Sequence, residues 1–275
     1  MQAELDSRAD HHALYIRSNE EVRQVLVLVD RGLNDCEIAR QTGIPRATVR
    51  DWRRGRTPRR GPLGARIPPG DSCPICGHLR HDPRTLSPRE YCYLLGLYLG
   101  DGTITTHRRG VHRLGIVLDR RYPGIVSECA LAMAVVMPSS KVGIHQYEHM
   151  NADYVSSYSR AWPCLLPQHG PGRKHTRPIN LTSWQTGLIE PDPRALLRGL
   201  IHSDGCRHLN TINHPKRTYR YPRYEFTNKS QDIKRIFCWG CDLLGIEWRV
   251  MNAQTISIAR RRSVALMDEF IGRKR

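Results

Sequence analysis

Two aspartates can do chemistry in this 275-residue chain, and they sit in matching contexts. Asp101 closes the stretch Leu94 to Gly102 (LLGLYLGDG), and Asp204 closes Leu197 to Gly205 (LRGLIHSDG). The stretches agree at Leu94/Leu197, Gly96/Gly199, Leu97/Leu200, Asp101/Asp204 and Gly102/Gly205, with the aspartates 103 positions apart. Two carboxylates brought together repel, and one takes up a proton unless a cation lies between them. A hard divalent ion with oxygen ligands, Mg²⁺ for choice, meets that need.

The elements that must position them follow from the same residues. Leu94, Leu95, Leu97, Tyr98 and Leu99 make a helix apolar nearly all round, which predicts burial. Gly96 and Gly100 share one face of it, and Gly199 and Ser203 repeat the arrangement. Glycine inside a helix costs about 1 kcal/mol relative to alanine, and close approach of two backbones is the usual compensation. Side-by-side packing there places Asp101 and Asp204 together at the C-terminal, negative ends of both helices. Gly102 and Gly205 are expected to stop the helices in the left-handed conformation.

This pair of motifs resembles the LAGLIDADG homing endonuclease family in its single-chain, two-motif form. The resemblance covers about two thirds of the chain, from Pro88 onward. The sequence departs from it at the sixth motif position, where Leu99 and His202 replace the family's first acidic residue. The resemblance implies Asp101 and Asp204 as catalytic, Mg²⁺-binding acids, with the backbone carbonyls of Gly100 and Ser203 as further ligands. It implies a basic residue near the attacking water; Lys141, Lys174, Lys229 and Lys234 are the candidates.

Composition agrees with a nucleic-acid partner. Lys and Arg number 43 against 26 Asp and Glu, a net charge of +17. No apolar run approaches the ~18 residues of a membrane span. Nine cysteines without a regular framework read as reduced thiols, which suits a cytoplasmic protein that joins the nucleoid when bound to DNA.

Before the motifs, residues 1–18 read as a loose polar arm and 19–54 as three short helices. Val22, Val25, Leu26 and Val29 set the first helix's inner face, and Gly32 stops it. Asn34 with Glu37 is a capping box. Gly43 is the turn, Ile44-Pro45 opens the third helix, and Val49 and Trp52 are its buried face. The pattern resembles a helix-turn-helix, with Arg46, Thr48, Arg50, Arg53 and Arg54 toward a major groove. Arg46 to Arg66 contains eight arginines and one acid.

Residues 55–87 read as a basic linker, able either to lie in a minor groove or to remain solvated. Within it Cys73, Cys76, His78 and His81 have spacings that suit a Zn²⁺ knuckle. Cys238 and Cys241 share the Cys-x-x-Cys spacing but lie on an apolar helical pattern, so they read as core.

The rest, 88–275, reads as α+β: a pseudo-symmetric tandem αββαββα saddle, with repeat one at 88–168 and repeat two at 190–275. A two-stranded ribbon follows each motif. The first carries Arg108, Arg109 and Arg113; the second carries Arg207, Lys216, Arg217, Arg220 and Arg223, interleaved with tyrosines. Basic and aromatic side chains on a ribbon suit duplex DNA. His169 to Pro178 is expected to touch the DNA backbone.

Three functions remain open at this point. One is a site-specific, divalent-metal-dependent DNA endonuclease acting as a monomeric pseudo-dimer. Another is a DNA-binding regulator that keeps the motif domain for recognition alone. The third, an RNA-splicing maturase, resembles the same family but fits a duplex-reading helix-turn-helix poorly.

Overall fold

The computed structural model describes residues 19–54, Cys73, Cys76 and residues 82–274 other than 148–149, 215 and 273. The expected arm (1–18), most of the linker, and the candidate ligands His78 and His81 lie outside the described residues. The chain divides into two units, Met1–Pro68 and Pro69–Arg275.

In the first unit, α1 (Asn19–Asp30), α2 (Asp35–Thr42) and α3 (Arg46–Arg53) enclose a small core of Val25, Ile38, Ile44, Val49 and Trp52. The Asn34 side chain accepts from the Cys36 and Glu37 amides, both at 3.0 Å, and Glu37 accepts from the Asn34 amide at 2.9 Å. This is the capping box expected from the sequence. Gly43 takes φ +66, which only glycine adopts cheaply, and makes the tight turn before α3. Leu26, expected inside, is 36 % exposed. Val25 fills the inward direction, and Leu26 lies one helical step, about 100°, further round.

The second unit contains the two repeats. The first runs α4 (Pro88–Gly100), β1 (Gly102–Thr106), β2 (His112–Asp119), α5 (Pro123–Val136), β3 (Val142–Tyr147), β4 (Ala152–Ser159) and α6 (Trp162–Leu165). A short helix, α7 (Ser183–Ile189), precedes the second. That repeat runs α8 (Arg194–Asp204), β5 (Gly205–His214), β6 (Arg217–Thr227), α9 (Gln231–Leu243), β7 (Arg249–Val250), β8 (Thr255–Ile258) and α10 (Arg261–Ile271). Each repeat forms one antiparallel sheet, with orders β1-β2-β4-β3 and β5-β6-β8-β7. Both repeats therefore have the αββαββα topology expected from the sequence. Helix α7 is an addition: it starts on a Thr182/Gln185 capping box.

The motif helices form the centre. Every residue from Tyr91 to Leu99 is buried. Helix α4 packs directly on α8 through its glycines. A Cβ on Gly96 would lie 2.5 Å from the Leu196 carbonyl oxygen and 2.9 Å from Gly199 Cα. One on Gly199 would strike the Tyr93 carbonyl oxygen and lie 2.9 Å from the Leu97 nitrogen. One on Gly100 would meet Ser203 Cβ at 2.5 Å. The backbones touch, as the paired small residues require.

The terminal glycines act differently from expectation. Gly205 is extended (φ −112, ψ 166), and Gly102 is not among the glycines with positive φ. Each is needed for space. The chain turns so sharply into its strand that a Cβ on Gly102 would lie 2.5 Å from Tyr98 Cα, and one on Gly205 would lie 2.7 Å from Ile201 Cα.

A side bond locks the repeats further. Arg198 on α8 donates to both carboxylate oxygens of Glu128 on α5, at 2.9 and 2.8 Å, and to the Phe270 and Ile271 carbonyls that end α10. Cys238 and Cys241 are buried in the core, as their helical setting predicts.

The helix contact can be tested with two alanines. Gly199→Ala should lower stability by about 1–3 kcal/mol, because backbone on both sides resists the methyl. Gly187→Ala, in α7 with open space around its Cβ position, should be neutral or stabilising by up to about 1 kcal/mol. Thermal unfolding of the pair measures both; equal behaviour would refute the close-contact account.

Candidate active site and nucleic-acid interface

The glycine contact brings the C-terminal ends of α4 and α8 together, and with them the two aspartates. Asp101 caps α4 and Asp204 ends α8. Asp204 Oδ2 accepts a hydrogen bond from Asn228 Nδ2 at 2.6 Å. The Asp101 carboxyl is pushed up to about 6, first by burial and then by the Asp204 charge, against the pull of Lys174 and Lys274. Burial raises Asp204 as well, opposed by the Asn228 bond and the same two lysines. Asp101 borders a cavity of about 260 Å³ shared with Asp119, Arg121, Tyr122, Ser203 and Lys274.

Two lysines complete the cluster. Lys174 Nζ donates to the carbonyls of Tyr98, Gly100 and Gly102, the latter two at 2.8 Å. Lys274 Nζ donates to the carbonyls of His202 at 3.2 Å and Gly205 at 2.5 Å. Each ammonium thus caps one motif helix where its carbonyls lack partners and the dipole is negative. Burial lowers Lys174 to about 8, and both aspartates oppose that shift.

Of the four lysines considered from sequence, only Lys174 reaches this cluster. Lys234 donates to the Ala253 carbonyl instead. The segment His169 to Pro178, expected on a DNA backbone, sends Lys174 inward. Lys274 was not found by sequence reasoning. Its signal was its spacing: it lies 100 residues after Lys174, close to the 103-residue repeat offset. The Gly100 carbonyl, implied as a metal ligand, accepts from Lys174. The Ser203 hydroxyl turns back to the Gly199 and Leu200 carbonyls at 3.0 and 3.1 Å.

His202, at one departure from the family motif, is a satisfied core residue. Its Nε2 lies 3.2 Å from the Ile271 carbonyl, so that nitrogen carries the proton, and Nδ1 accepts from the Tyr93 hydroxyl at 2.9 Å. Burial lowers it to about 4, which keeps it neutral. Leu99, the other departure, is fully buried.

Register sorts the ribbon arginines. Opposite residues in a ladder share a face, and alternate residues change face. Leu114 and Ile116 on β2, and Tyr224 and Phe226 on β6, are buried in the core with the helices. Arg113 therefore points the other way. On β6 the outward set is Arg217, Tyr219, Tyr221 and Arg223, and Tyr219 stacks on Tyr221 at 6.1 Å. Arg220 and Arg207 fall on the helix-side face. Arg207 is held there by Asp268 of α10 through two bonds at 2.7 and 2.8 Å. The basic residues of the second ribbon thus divide between two faces, where the sequence reading treated them as one array. Arg108 and Arg109 are exposed in the β1–β2 turn, Arg109 with φ +63, and Lys216 is exposed in the β5–β6 turn.

Arg46 and Arg50 on α3 and Arg54 at its C-cap are exposed at steps of four, which forms one stripe, and Thr48 is half-buried. Arg53 is not part of that stripe. It pairs with Asp35 at 3.0 Å and donates to the Leu33 carbonyl, tying α3 to the start of α2.

Residues 17–57 match the family model of a homeodomain-like domain. The N-terminal unit is a homeodomain-like helix-turn-helix. No curated protein sequence matches the chain. Among solved structures it is similar to mesophilic variants of the homing endonuclease I-DmoI, with TM-score 0.45 and 15 % identity over 68 % of this chain and 91 % of that one. It is also similar to full-length WhiA from Thermatoga maritima, with TM-score 0.42 and 16 % identity over 69 % of this chain and 57 % of that one. A third is the LAGLIDADG meganuclease I-AabMI bound to uncleaved DNA, with TM-score 0.43 and 14 % identity over 68 % and 85 %. No helix among the described residues is long and apolar enough to cross a membrane.

The carboxylate cluster makes a stability prediction. A carboxyl whose folded pKa is raised favours the protonated form, so its contribution is lost as pH climbs through about 6. Asp101→Asn should therefore stabilise the protein at pH 7. Asp101 opens onto solvent, water screens part of the penalty, and the expected gain is about 1 kcal/mol. The gain should vanish below about pH 4, where both side chains are neutral. Urea unfolding at the two pH values checks this; an equal gain at both would refute it.

Proposed function

We propose that the chain is a site-specific double-stranded DNA endonuclease of the LAGLIDADG homing type. The observation that carries the reading is the convergence of Asp101, Asp204, Lys174 and Lys274 at the ends of two helices in backbone contact. The resemblance of both motifs to that family supports it.

The donor set fits a divalent ion. Asp101 and Asp204 offer hard carboxylate oxygens, and burial leaves both raised even with two ammoniums beside them. They would hold Mg²⁺, which when bound supplies Lewis-acid charge and a more acidic water for phosphodiester hydrolysis. The chain's own groups do the rest. Asn228 fixes the Asp204 carboxylate. Lys174 and Lys274 put positive charge beside the carboxylates, suited to the charge that builds on a phosphate under attack. The cavity at Asp101 is roomy enough for water. No serine or cysteine nucleophile is needed, because water attacks.

The ribbons would dock on duplex DNA through the faces turned away from the helices. Arg113 and Arg217 lie on those faces, and the Arg46–Arg50–Arg54 stripe would enter a major groove. One chain supplies both motif helices, so it would act as a monomeric pseudo-dimer, at the nucleoid when bound. The helix-turn-helix favours a second reading, a regulator that binds DNA without cutting it.

Cleavage of a randomised duplex library with Mg²⁺ separates the two. Discrete double-strand breaks, lost by at least about 100-fold in both Asp101→Asn and Asp204→Asn, are expected. Sequence-specific binding with no breaks in the wild type would establish the regulator.

The docking face has its own test. Arg113→Ala and Arg217→Ala should each flatten the dependence of log affinity on log salt by about 1. Arg220→Ala, on the opposite face, should leave the slope unchanged. The reverse pattern would place DNA on the other side of the ribbon.

A further inference from the structure

A second cluster lies within the motif-bearing unit, apart from the carboxylates. Cys73 and Cys76, just ahead of α4, approach Cys164 on α6, 88 positions beyond Cys76. The three sulfurs lie within 4.8 Å of one another, and Cys73 Sγ is 3.5 Å from Cys164 Sγ. Cys73 and Cys76 are 8 % and 7 % exposed. We infer that Cys73, Cys76 and Cys164 form a structural Zn²⁺ site.

The geometry and the donor chemistry agree. Zn²⁺ bound tetrahedrally by thiolates at about 2.3 Å sets its sulfurs about 3.8 Å apart, which matches this spacing. A Cys-x-x-Cys pair is the usual local half of such a site, and the third sulfur comes from a distant element. Local spacing pairs Cys73 and Cys76 with His78 and His81, and Cys164 is the donor that the fold adds. Cys164 could not be found by spacing, because tertiary packing brings α6 to the chain ahead of α4. Three thiolates leave one of four positions for a further donor. His78 and His81 follow in sequence but lie outside the described residues, and the inference rests on the sulfurs alone.

Binding is not a redox step. Each thiol loses a proton to solvent as its sulfur bonds to zinc, so assembly is favoured at higher pH. The site would fasten the chain entering α4 to α6. It would reinforce the bond that the Tyr91 hydroxyl donates to the Leu165 carbonyl at 2.8 Å. It would therefore brace the motif helix that carries Asp101 without touching the carboxylates.

Metal analysis of the full chain, purified without chelators, tests this. One zinc per chain is expected. Exchange for Co²⁺ should give the intense near-ultraviolet band of a thiolate-ligated tetrahedral ion. Cys164→Ser should lose at least nine-tenths of the zinc. Cys206→Ser should retain it, although Cys206, His208 and Glu225 are another group able to hold a metal. Chelation should lower the wild-type melting temperature.

Three results would overturn the inference. One is wild-type protein that carries no zinc and binds no Co²⁺ when reduced. Another is full zinc retention in Cys164→Ser, or its loss in Cys206→Ser. The third is a Cys73–Cys164 disulfide mapped in protein prepared under reducing conditions. If Cys164→Ser fails to fold, Cys164→His keeps the question open to measurement. It should restore zinc with a weakened thiolate band, and an unchanged band would count against Cys164 as a ligand.

Discussion

The rest of the motif-bearing unit depends on one contact, the crossing of α4 and α8 at Gly96 and Gly199. A methyl on either glycine would meet backbone rather than a movable side chain. The helices therefore have no slack in their separation, and the contact fixes what happens four residues further on. Gly100 lies against Ser203, and the next residue on each helix is an aspartate. The same approach that buries two apolar helices forces two carboxylates into one place.

That placement creates an electrostatic problem, and the chain answers it with lysines rather than with distance. Two helix C-termini, each with exposed carbonyls and a negative dipole end, meet beside two carboxylates. Lys174 arrives from the segment between the repeats and Lys274 from the far end of the second repeat, and each donates to carbonyls of one helix end. Burial nevertheless pushes the Asp101 carboxyl up to about 6 and the Lys174 ammonium down to about 8. Between those values the cluster holds an ionised carboxylate and a protonated amine side by side. That pairing of states suits the hydrolysis proposed for the site at neutral pH.

What the sequence made legible follows from which interactions are local or repeated. The motif helices could be read because the same nine-residue pattern occurs twice and its small residues have only one economical use. The capping box at Asn34 and Glu37 is a three-residue matter and appeared as expected. Apart from Leu26, whose place on α1 is a matter of helical step, the misses are tertiary. Gly102 and Gly205 avoid a clash with Tyr98 and Ile201, which no φ preference in the sequence reveals. Arg207 and Arg220 look like their neighbours along β5 and β6, and only the register puts them on the helix side. Arg53 resembles a groove reader until Asp35 is seen beside it. Lys274 and Cys164 act on partners far away in the chain.

The choice between cutting and merely binding turns on what the aspartates do to each activity. In a protein that only binds DNA, two carboxylates held at the junction of the ribbons add negative charge near phosphates, so they oppose the +17 net charge that favours association. They oppose folding too, because burial raises the pKa of both, and the Asp204 charge raises that of Asp101 further. Asparagine at both positions would keep the helix ends and the Asn228 contact at lower free energy. The lysines offset part of this burden without removing it. A divalent ion held by the carboxylates would cancel their charge and leave the charge of the two lysines to attract phosphate. Both acids at this position therefore burden recognition alone and suit the hydrolysis proposed for the site.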